Sequence, residues 1–189
     1  MNKLIILMGK SGAGKSTIEK KLEEEYNYKR VISTTTRKPR SNEIPFVDYY
    51  FIPQEVFDIY KRRNEFLEVS NYPTSGVMYS YGVHKKDVNI DEEDNILVTE
   101  RTGYEQLKKT VGRENIISVY IDADFEIRAN RYRERDANYN EFDIDDRAKR
   151  DNKMFEGIEN DVDIIIYNEG DINKTVLDLV QEINRLKTK

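Results

Sequence analysis

The sequence lacks cysteine altogether and has a single histidine among its 189 residues. The missing thiols exclude disulfide bonds, thiol catalysis and cysteine-based metal sites. The lone His84 excludes a zinc site built from paired histidines. No apolar run approaches the length of a membrane span, and the chain enters a strand-like segment without a signal peptide. We therefore expect a cytoplasmic protein without a membrane partner.

Charge of one sign does not dominate the chain, whose formal net charge is −5 at pH 7. With 35% charged and 38% hydrophobic residues, the composition is typical of a folded and strongly polar protein. Its length suits one domain with a real core and small insertions. Because no basic stripe is present, a nucleic-acid polymer is not an expected partner. The oligomeric state stays open between monomer and homodimer.

The strongest functional signal lies near the start of the chain. An apolar run at residues 3–8 predicts a buried strand, and apolar residues at spacing four from Ile18 onward predict a helix. Between them stands Gly9-Lys10-Ser11-Gly12-Ala13-Gly14-Lys15-Ser16. A strand, Gly-x-x-x-x-Gly-Lys-Ser and a helix together are the full context of a P-loop, which is more specific than a glycine-rich turn.

The residue types of this loop suit a polyphosphate. Glycines without Cβ let backbone N–H groups approach phosphate oxygens, and the N-terminal end of the helix favours the same anion. Lys15 adds a charge for the β- and γ-phosphates, and Ser16 adds a hydroxyl that would hold Mg²⁺ as a cofactor. The predicted nucleotide contacts in this segment are Gly9, Lys10, Ser11, Gly12, Ala13, Gly14, Lys15, Ser16 and Thr17.

Short apolar strands alternate with helical patterns along much of the chain. Strands are predicted at residues 28–33, 95–99, 116–121 and 162–167. Helices are predicted at about residues 104–111, 124–135, 143–159 and 173–186. This alternation predicts an α/β fold with a parallel-sheet P-loop NTPase core and helices on both faces.

A tyrosine-rich stretch over about residues 34–90 interrupts this alternation. Strands are predicted there at residues 46–52, 65–69 and 78–83, with a helix running from Pro53 to about Asn64. We therefore predict a small, partly antiparallel insertion.

A loop rich in hydroxyl and basic side chains opens the insertion at residues 34–42. Arg37 and Arg40 stand three residues apart, with Pro39 stiffening the turn between them, so they could clamp one phosphate from two sides. A solvated basic loop is the alternative that these residues leave open.

These motifs together resemble the guanylate kinase family over nearly the whole chain. The family signature Ser-x-Thr-Thr-Arg-x-Pro-Arg-x-x-Glu-x-x-x-x-Asp-Tyr is similar to residues 33–49. Further similar residues follow in order at Glu65-Phe66-Leu67-Glu68, Tyr81-Gly82, Arg131, Arg135, Arg147 and Tyr167-Asn168. The resemblance implies a single domain with an acceptor-binding insertion at 34–90 and a helical lid at about 126–147. The core would comprise residues 1–33, 95–125 and 148–189.

The resemblance also implies partners and roles. ATP would lie on the P-loop, with Asn168 in the same site, and GMP would lie in the insertion as the phosphoryl acceptor. Arg37, Arg40, Tyr49 and Tyr81 would hold the acceptor phosphate. Glu68 would accept hydrogen bonds from the guanine N1–H and exocyclic amine, with Ser33 and Glu100 near the base. Catalytic charge would come from Lys15, Arg131, Arg135 and Arg147.

Several positions depart from the family pattern. Val83 replaces a serine or threonine that would contact guanine, and Val98 replaces a carboxylate near the phosphates and metal. The link at residues 71–80 is a few residues longer than usual. We interpret His84 as an ordinary surface histidine rather than an acceptor contact, and Arg133 as a surface arginine in an ion pair.

Three functions remain as hypotheses. The first is a guanylate kinase with a changed base pocket, and the second is a related kinase acting on another nucleoside monophosphate or a sugar phosphate. The third is a non-catalytic guanylate-kinase-like binding module, which the presence of Lys15, Ser16 and the lid arginines disfavours. A P-loop GTPase is not supported, because the chain contains no Asn-Lys-x-Asp motif.

Overall fold

The structure is a computed structural model that describes residues 1–40, 43–74, 77–135 and 140–188, with side chains except at positions 73, 74, 135 and 143. In chain order its elements are β1 (Leu4–Met8), α1 (Lys15–Tyr26), β2 (Lys29–Arg30), β3 (Thr34–Thr35), β4 (Tyr50–Phe51), α2 (Gln54–Arg62), β5 (Phe66–Thr74), β6 (Val77–His84), β7 (Asn95–Val98), α3 (Arg101–Leu107), β8 (Ile116–Asp122), α4 (Phe125–Arg135), α5 (Glu141–Met154), β9 (Ile164–Tyr167) and α6 (Ile172–Lys187).

The main sheet has the strand order β2-β7-β1-β8-β9, and every neighbouring pair runs parallel. Strand β1 is central and completely buried, as its continuous apolar run predicts. The parallel α/β core predicted from the sequence is confirmed. Strand β2 is shorter than the predicted strand at 28–33, because only two of these residues pair with β7.

Two apolar clusters cover the two faces of this sheet. Ile5 and Leu7 of β1 pack in the cluster that contains the buried residues of α1 and α6. The alternate residues of β1 pack in the other cluster, with Tyr104 and Leu107 of α3. This period of two follows from the strand geometry, and each buried side chain contributes about 1.5–3 kcal/mol.

A second sheet forms the insertion, with the strand order β4-β3-β6-β5. The pairs β3–β6 and β5–β6 are antiparallel, whereas β3–β4 is parallel, so the partly antiparallel insertion is also confirmed. In the part of the chain that the structure describes, no helix is long and apolar enough to cross a membrane. The predicted lid includes residues 136–139, which lie outside the described residues.

The predicted strand at residues 46–52 is wrong for its first half. A turn occupies residues 46–48, where the N–H of Phe46 donates to the carbonyl of Tyr49 at 3.0 Å. The Asp48 carboxylate also accepts from the N–H of Ile44 at 2.7 Å. These local hydrogen bonds satisfy the backbone within the turn and override the strand propensity of the aromatic residues.

Parallel strands bring their carboxyl ends to one edge of the sheet, where α/β proteins bind ligands. Strand β1 leads there into the P-loop, β7 into Thr99 and Glu100, and β9 into Asn168. The insertion's strands β5 and β6 lie across a cleft from this edge, since one cavity is lined from both sides. The topology therefore gathers residues that are far apart in the sequence.

Candidate active site

The P-loop joins β1 to α1 and confirms the predicted strand, loop and helix. Gly12 and Gly14 have φ of +80° and +96°, a region that residues with a Cβ rarely occupy. A Cβ on Gly12 would lie 2.6 Å from the carbonyl oxygen of Arg128, and one on Gly14 would lie 2.2 Å from Nδ2 of Asn168. The loop therefore requires glycine for both conformation and space.

Lys15 is the first residue of α1, and its ammonium group folds back over the loop. Its Nζ donates to the carbonyl oxygens of Gly9 at 2.7 Å and Lys10 at 3.1 Å. Lys15 and Ser16 both line the cleft between this sheet edge and strands β5 and β6. A positive charge and a hydroxyl thus face the space in which a polyphosphate would meet the loop.

A carboxylate from α5 already contacts the loop. The backbone N–H of Ser11 donates to Oδ2 of Asp151 at 2.6 Å. An anionic oxygen on a loop amide is the chemistry that phosphate binding requires. Sequence reasoning missed Asp151, since it stands 140 residues from its partner and belongs to none of the motifs.

Arg131, predicted to be catalytic, and Asn168, predicted to bind ATP, lie against the loop backbone. Arg131 donates from Nη1 to the carbonyl of Gly12 at 3.2 Å and from Nη2 to the carbonyl of Asn168 at 2.8 Å. Asn168 is buried and donates from Nδ2 to the carbonyl of Ala13 at 2.8 Å. Its Oδ1 has no hydrogen-bond partner among the described residues. Both side chains therefore brace the loop.

Arg128 joins this bracing, although sequence reasoning did not assign it a role. It is buried and donates from Nε to the carbonyl of Ala123 at 2.9 Å, while its backbone packs on Gly12. A signal was available, because Arg128 and Arg131 stand three residues apart and share one face of α4.

The remaining arginines of the predicted lid differ in their surroundings. Arg147 lines the same cleft as Lys15, with its guanidinium 5.3 Å from the ring centroid of Tyr132. Arg133 forms the expected ion pair, with its Nε 2.9 Å from a carboxylate oxygen of Glu141. The side chain of Arg135 lies outside the described residues. Of these three, only Arg147 is thus observed at the cleft.

Arg37 and Arg40 converge on Glu43. Both terminal nitrogens of Arg37 donate to the Glu43 carboxylate at 2.8 Å, and its Nε donates to the Tyr81 hydroxyl at 3.1 Å. Burial opposes the charge of Arg37, but these hydrogen bonds outweigh it and hold its pKa above the usual value. Arg37 is therefore not a solvated loop residue. Arg40 is half-exposed, 3.2 Å from Glu43, and lines the cleft.

Tyr49 and Tyr81 stand together on the cleft wall, with ring centroids 6.1 Å apart. Burial raises the pKa of Tyr49 to about 12, with the neighbouring Tyr81 adding to the shift. Its phenol therefore stays protonated at neutral pH and remains a hydrogen-bond donor. With Arg40, the two phenols form a surface suited to a phosphate.

Glu68 lines the cleft and is almost fully buried, with 4% of its surface exposed. A β-bulge between Phe66 and Glu68 shifts the register with β6, and bulges often re-aim side chains beside functional sites. Burial raises the pKa of Glu68 to about 7, although a hydrogen bond from Ser70 opposes the shift. Gly103 makes room for it, because a Cβ there would lie 3.1 Å from its Oε2.

Glu100 follows β7 and lines the cleft. Burial raises its pKa, while the positive charge of Lys15 opposes the shift, and its own charge adds to the raised pKa of Glu68. Its Oε2 is buried and has no hydrogen-bond partner in the ranges that the structure describes. Glu100 is therefore a carboxylate close to both the P-loop and Glu68.

The two residues after Gly82 are buried rather than exposed to the cleft. Val83 is completely buried and packs in the core cluster of α3, so it is not a cleft residue. His84 is 5% exposed, and its ring lies 4.4 Å from the ring of Phe66 and 4.9 Å from that of Tyr60. The interpretation of His84 as a surface residue is therefore wrong, since it packs among aromatic rings.

One cleft of about 300 Å³ unites the P-loop with the insertion. Ten of the twenty predicted site residues line it, including side chains of both predicted substrate sites. Those that line it are Ser11, Lys15, Ser16, Ser33, Arg40, Tyr49, Glu68, Tyr81, Glu100 and Arg147. Arg37, Arg131 and Asn168 instead support its walls through the hydrogen bonds described above.

The fold and this arrangement of loop and sheet are those of the P-loop NTPase class. More specifically, the chain belongs to the guanylate kinase family, because the family profile "Guanylate kinase" matches residues 1–186. A crystal structure of guanylate kinase from Anaplasma phagocytophilum superposes with a TM-score of 0.74 at 26% identity, covering 98% of this chain and 86% of that one.

Two curated relatives are also similar in sequence. Guanylate kinase from Mycoplasma mobile is 37% identical over 128 residues, which are 63% of this chain and 62% of that protein. Guanylate kinase from Enterococcus faecalis is 40% identical over 113 residues, which are 57% of this chain and 53% of that protein. The match thus spans about half to three fifths of the length of these relatives.

Proposed function

We propose that this protein catalyses ATP-dependent phosphoryl transfer to GMP, with GDP and ADP as products. The observation that carries the proposal is that Lys15 of the P-loop and the buried Glu68 line one cleft. A loop suited to a polyphosphate and a buried carboxylate then share one cleft of about 300 Å³. Membership of the guanylate kinase family and the names of its relatives support the same reaction.

In this reaction a phosphate oxygen of GMP attacks the γ-phosphorus of ATP, and the bond from that phosphorus to the β-phosphate oxygen breaks. The leaving oxygen keeps the bonding electrons and departs as ADP. The protein needs no covalent intermediate, only positioning and neutralisation of charge. Lys15 and Arg147 line the cleft and are proposed to supply positive charge there. Arg131, which braces the loop through backbone carbonyls, and Arg135 are proposed to add charge once the substrates are bound.

Base selection rests on Glu68 in this proposal. An ionised carboxylate accepts two hydrogen bonds, which match the N1–H and exocyclic N–H of guanine. Adenine presents an unprotonated N1 at the corresponding position. The lone pair of this nitrogen would face a carboxylate oxygen, and the two acceptors would repel each other. Glu100 and Ser33 are proposed to contact the base or its sugar, since both line the cleft.

Mg²⁺ fits the donor set of the cleft as a companion of ATP. Ser16 offers a hydroxyl, and the unpartnered Oε2 of Glu100 and the Asp151 carboxylate lie on the same cleft. Within the described residues no group of three or more carboxylate or imidazole side chains could hold a metal alone, so phosphate oxygens and water would complete the coordination. The ion would neutralise charge on the transferring phosphoryl group. The chain's own part is to orient the loop that receives it.

The proposal is tested by coupled ADP release with ATP, Mg²⁺ and each of GMP, dGMP, AMP, CMP and UMP. A strong preference for GMP is expected. A second candidate, a kinase of another phosphorylated acceptor, is favoured by Val83 being buried and Val98 carrying no carboxylate. Turnover with AMP, CMP or UMP but not with GMP would establish that candidate instead, and a lack of turnover with all five would lead to the same assay with sugar phosphates.

GMP use should fall as the medium becomes acidic. Because burial raises the pKa of Glu68 to about 7, the carboxylate is ionised above that pH and protonated below it. The protonated group cannot accept both guanine N–H bonds, so kcat/KM for GMP should decrease below pH 7 by up to about tenfold per pH unit. The kcat/KM for ATP, measured at saturating GMP, should change less over the same pH range.

The matched control for this pH profile is Glu68→Gln, which cannot titrate. The phosphate of GMP itself ionises near pH 6, so the variant reports that contribution alone. A wild-type profile identical in shape to that of Glu68→Gln would contradict the assignment of the pH dependence to Glu68.

Arg40→Ala should weaken acceptor binding without unfolding the protein. The side chain is 49% exposed, so its loss removes a hydrogen-bond donor that could hold the acceptor phosphate. The ion pair between Arg37 and Glu43 stays in place. KM for GMP should rise about tenfold, as for the loss of one charged hydrogen bond, with the melting temperature unchanged. The control is Arg63→Ala, which removes a 68% exposed arginine outside the cleft. A rise in KM for ATP alone would refute the phosphate-clamp role.

A further inference from the structure

Ser70 lies two residues beyond Glu68 on β5, on the same face of the strand. Both side chains line the cleft, as the alternation of a strand requires. The Ser70 hydroxyl donates to Oε2 of Glu68 at 2.9 Å, and Ser70 is 6% exposed. The single proton of this serine is therefore directed at the carboxylate that reads the base in the proposed function.

A row of hydroxyl groups continues behind Ser70. Its Oγ lies 3.5 Å from Oγ1 of Thr102, which lies 3.1 Å from the hydroxyl of Tyr72. Neighbouring hydroxyls that can accept or donate restrict the directions in which Ser70 turns its own proton. An ionised Glu68 can only accept, so Ser70 gives its proton to Glu68 and remains an acceptor toward Thr102.

Strand β5 itself is held by a different contact. The side-chain amide of Gln106 on α3 donates to the carbonyl of Val69 at 2.9 Å and accepts from its N–H at 3.0 Å. This pair of bonds fixes the backbone between Glu68 and Ser70 without using the serine hydroxyl. Loss of that hydroxyl should therefore free the carboxylate and leave the strand in place.

We propose that Ser70 is a positioning residue for base recognition, which holds the Glu68 carboxylate in the orientation that accepts both guanine N–H groups. The inference rests on the proposed function, because it assumes guanine as the base. Glu68 has two oxygens, and the bond from Ser70 to Oε2 restricts rotation of the carboxylate about its last torsion. Ser70 acts through Glu68 and needs no contact with the phosphoryl group.

The charged surroundings of Glu68 support a role for this hydrogen bond. Burial and the Glu100 carboxylate disfavour the ionised form of Glu68, whereas the bond from Ser70 lowers its pKa. Tyr72 is the other titratable group on the β5 wall of the cleft. The charged side chains on the facing elements are Lys15 of α1, Arg40 before β4, Glu100 before α3, and Arg147, Arg150 and Asp151 of α5.

The test compares wild type, Ser70→Ala and Ser70→Thr, with KM and kcat measured for GMP and ATP at several pH values. Ser70→Ala should raise KM for GMP about tenfold, the effect of losing a hydrogen bond to a charged group, while kcat and KM for ATP stay within about twofold. The pH below which kcat/KM for GMP falls should move upward, because the ionised form has lost a donor. Ser70→Thr keeps the hydroxyl and should restore both values.

Ser80→Ala is the matched control. Ser80 is a buried serine of the adjacent strand β6, and its hydroxyl donates to Asn71 at 2.9 Å instead of facing the cleft. Its removal should leave KM for GMP unchanged. Melting temperatures of both alanine variants separate a folding effect from a recognition effect.

Each outcome has a defined meaning. A wild-type enzyme that does not use GMP would overturn the proposed function itself. A wild type that uses GMP with Ser70→Ala unchanged would overturn only the role of Ser70. A Ser70→Ala variant with a lower melting temperature than Ser80→Ala, a lower kcat and a higher KM for both GMP and ATP would show that the serine is structural. This result would also overturn the inference.

Discussion

Lys15→Ala is expected to lower kcat for phosphoryl transfer by about 10²–10³-fold, the usual cost of removing one group that stabilises developing charge. Lys15 carries its ammonium group over the P-loop, where Nζ donates to the carbonyls of Gly9 and Lys10. When a polyphosphate binds, the same flexible side chain can exchange these carbonyls for phosphate oxygens. Steady-state kinetics with saturating ATP and acceptor measure the loss.

The fold should survive this substitution, because the helix start depends on Gly14 and the backbone rather than on the lysine side chain. The control is Lys21→Ala, which removes a lysine of the same helix that pairs with Glu25 at 2.7 Å. Its kcat should equal that of wild type. A Lys15→Ala variant with full turnover and an unchanged melting curve would remove the P-loop from the proposed mechanism.

The parts of the site that local sequence encodes were predictable. A P-loop needs one strand, one loop and one helix that are contiguous in the chain, so its geometry follows from a few neighbouring residues. The parallel sheet likewise follows from apolar runs that alternate with amphipathic helices. The resemblance to a family then indicated Arg40, Tyr49 and Glu68, which the structure brings to one cleft with Lys15.

Other features depend on contacts between distant segments. The approach of Asp151 to Ser11 and the bracing of the P-loop by Arg128 arise from the packing of α5 and α4 on the sheet edge. The sequence likewise gives no signal for Ser70, because the proposed role of its hydroxyl depends on the hydrogen bond to Glu68. His84 shows the converse error, since aromatic neighbours from two other elements bury it. Such contacts are set by tertiary packing, which local patterns do not report.

Glu68→Gln is expected to lower kcat/KM for GMP by about 10²–10⁴-fold, because a site built around one hydrogen-bonding pattern strongly rejects a mismatched one. The amide keeps the shape of the carboxylate but replaces one acceptor with an N–H₂ donor. Guanine presents two donors at this edge, so one donor would face another in a buried pocket. KM for ATP should not change, because Glu68 lies on the insertion side of the cleft.

The folding stability of Glu68→Gln should increase, although its kcat/KM for GMP falls. Burial raises the folded-state pKa of Glu68 to about 7, from 4.5 without burial, so ionisation of this group costs folding free energy as pH rises through that interval. At pH 8 the uncharged glutamine avoids this cost, and Glu68→Gln should be more stable than wild type by up to about 3 kcal/mol. At pH 4, where Glu68 is protonated in the folded protein, wild type and Glu68→Gln should have similar stability.

The control is Glu65→Gln, since Glu65 stands three residues earlier, is 38% exposed and does not line the cleft. It should change neither kcat/KM for GMP nor stability. A Glu68→Gln variant that is more stable yet inactive with GMP would mean that this carboxylate is kept at a cost to folding because it recognises the acceptor. A variant that keeps wild-type use of GMP, or that loses ATP binding instead, would show that guanine is read elsewhere in the cleft.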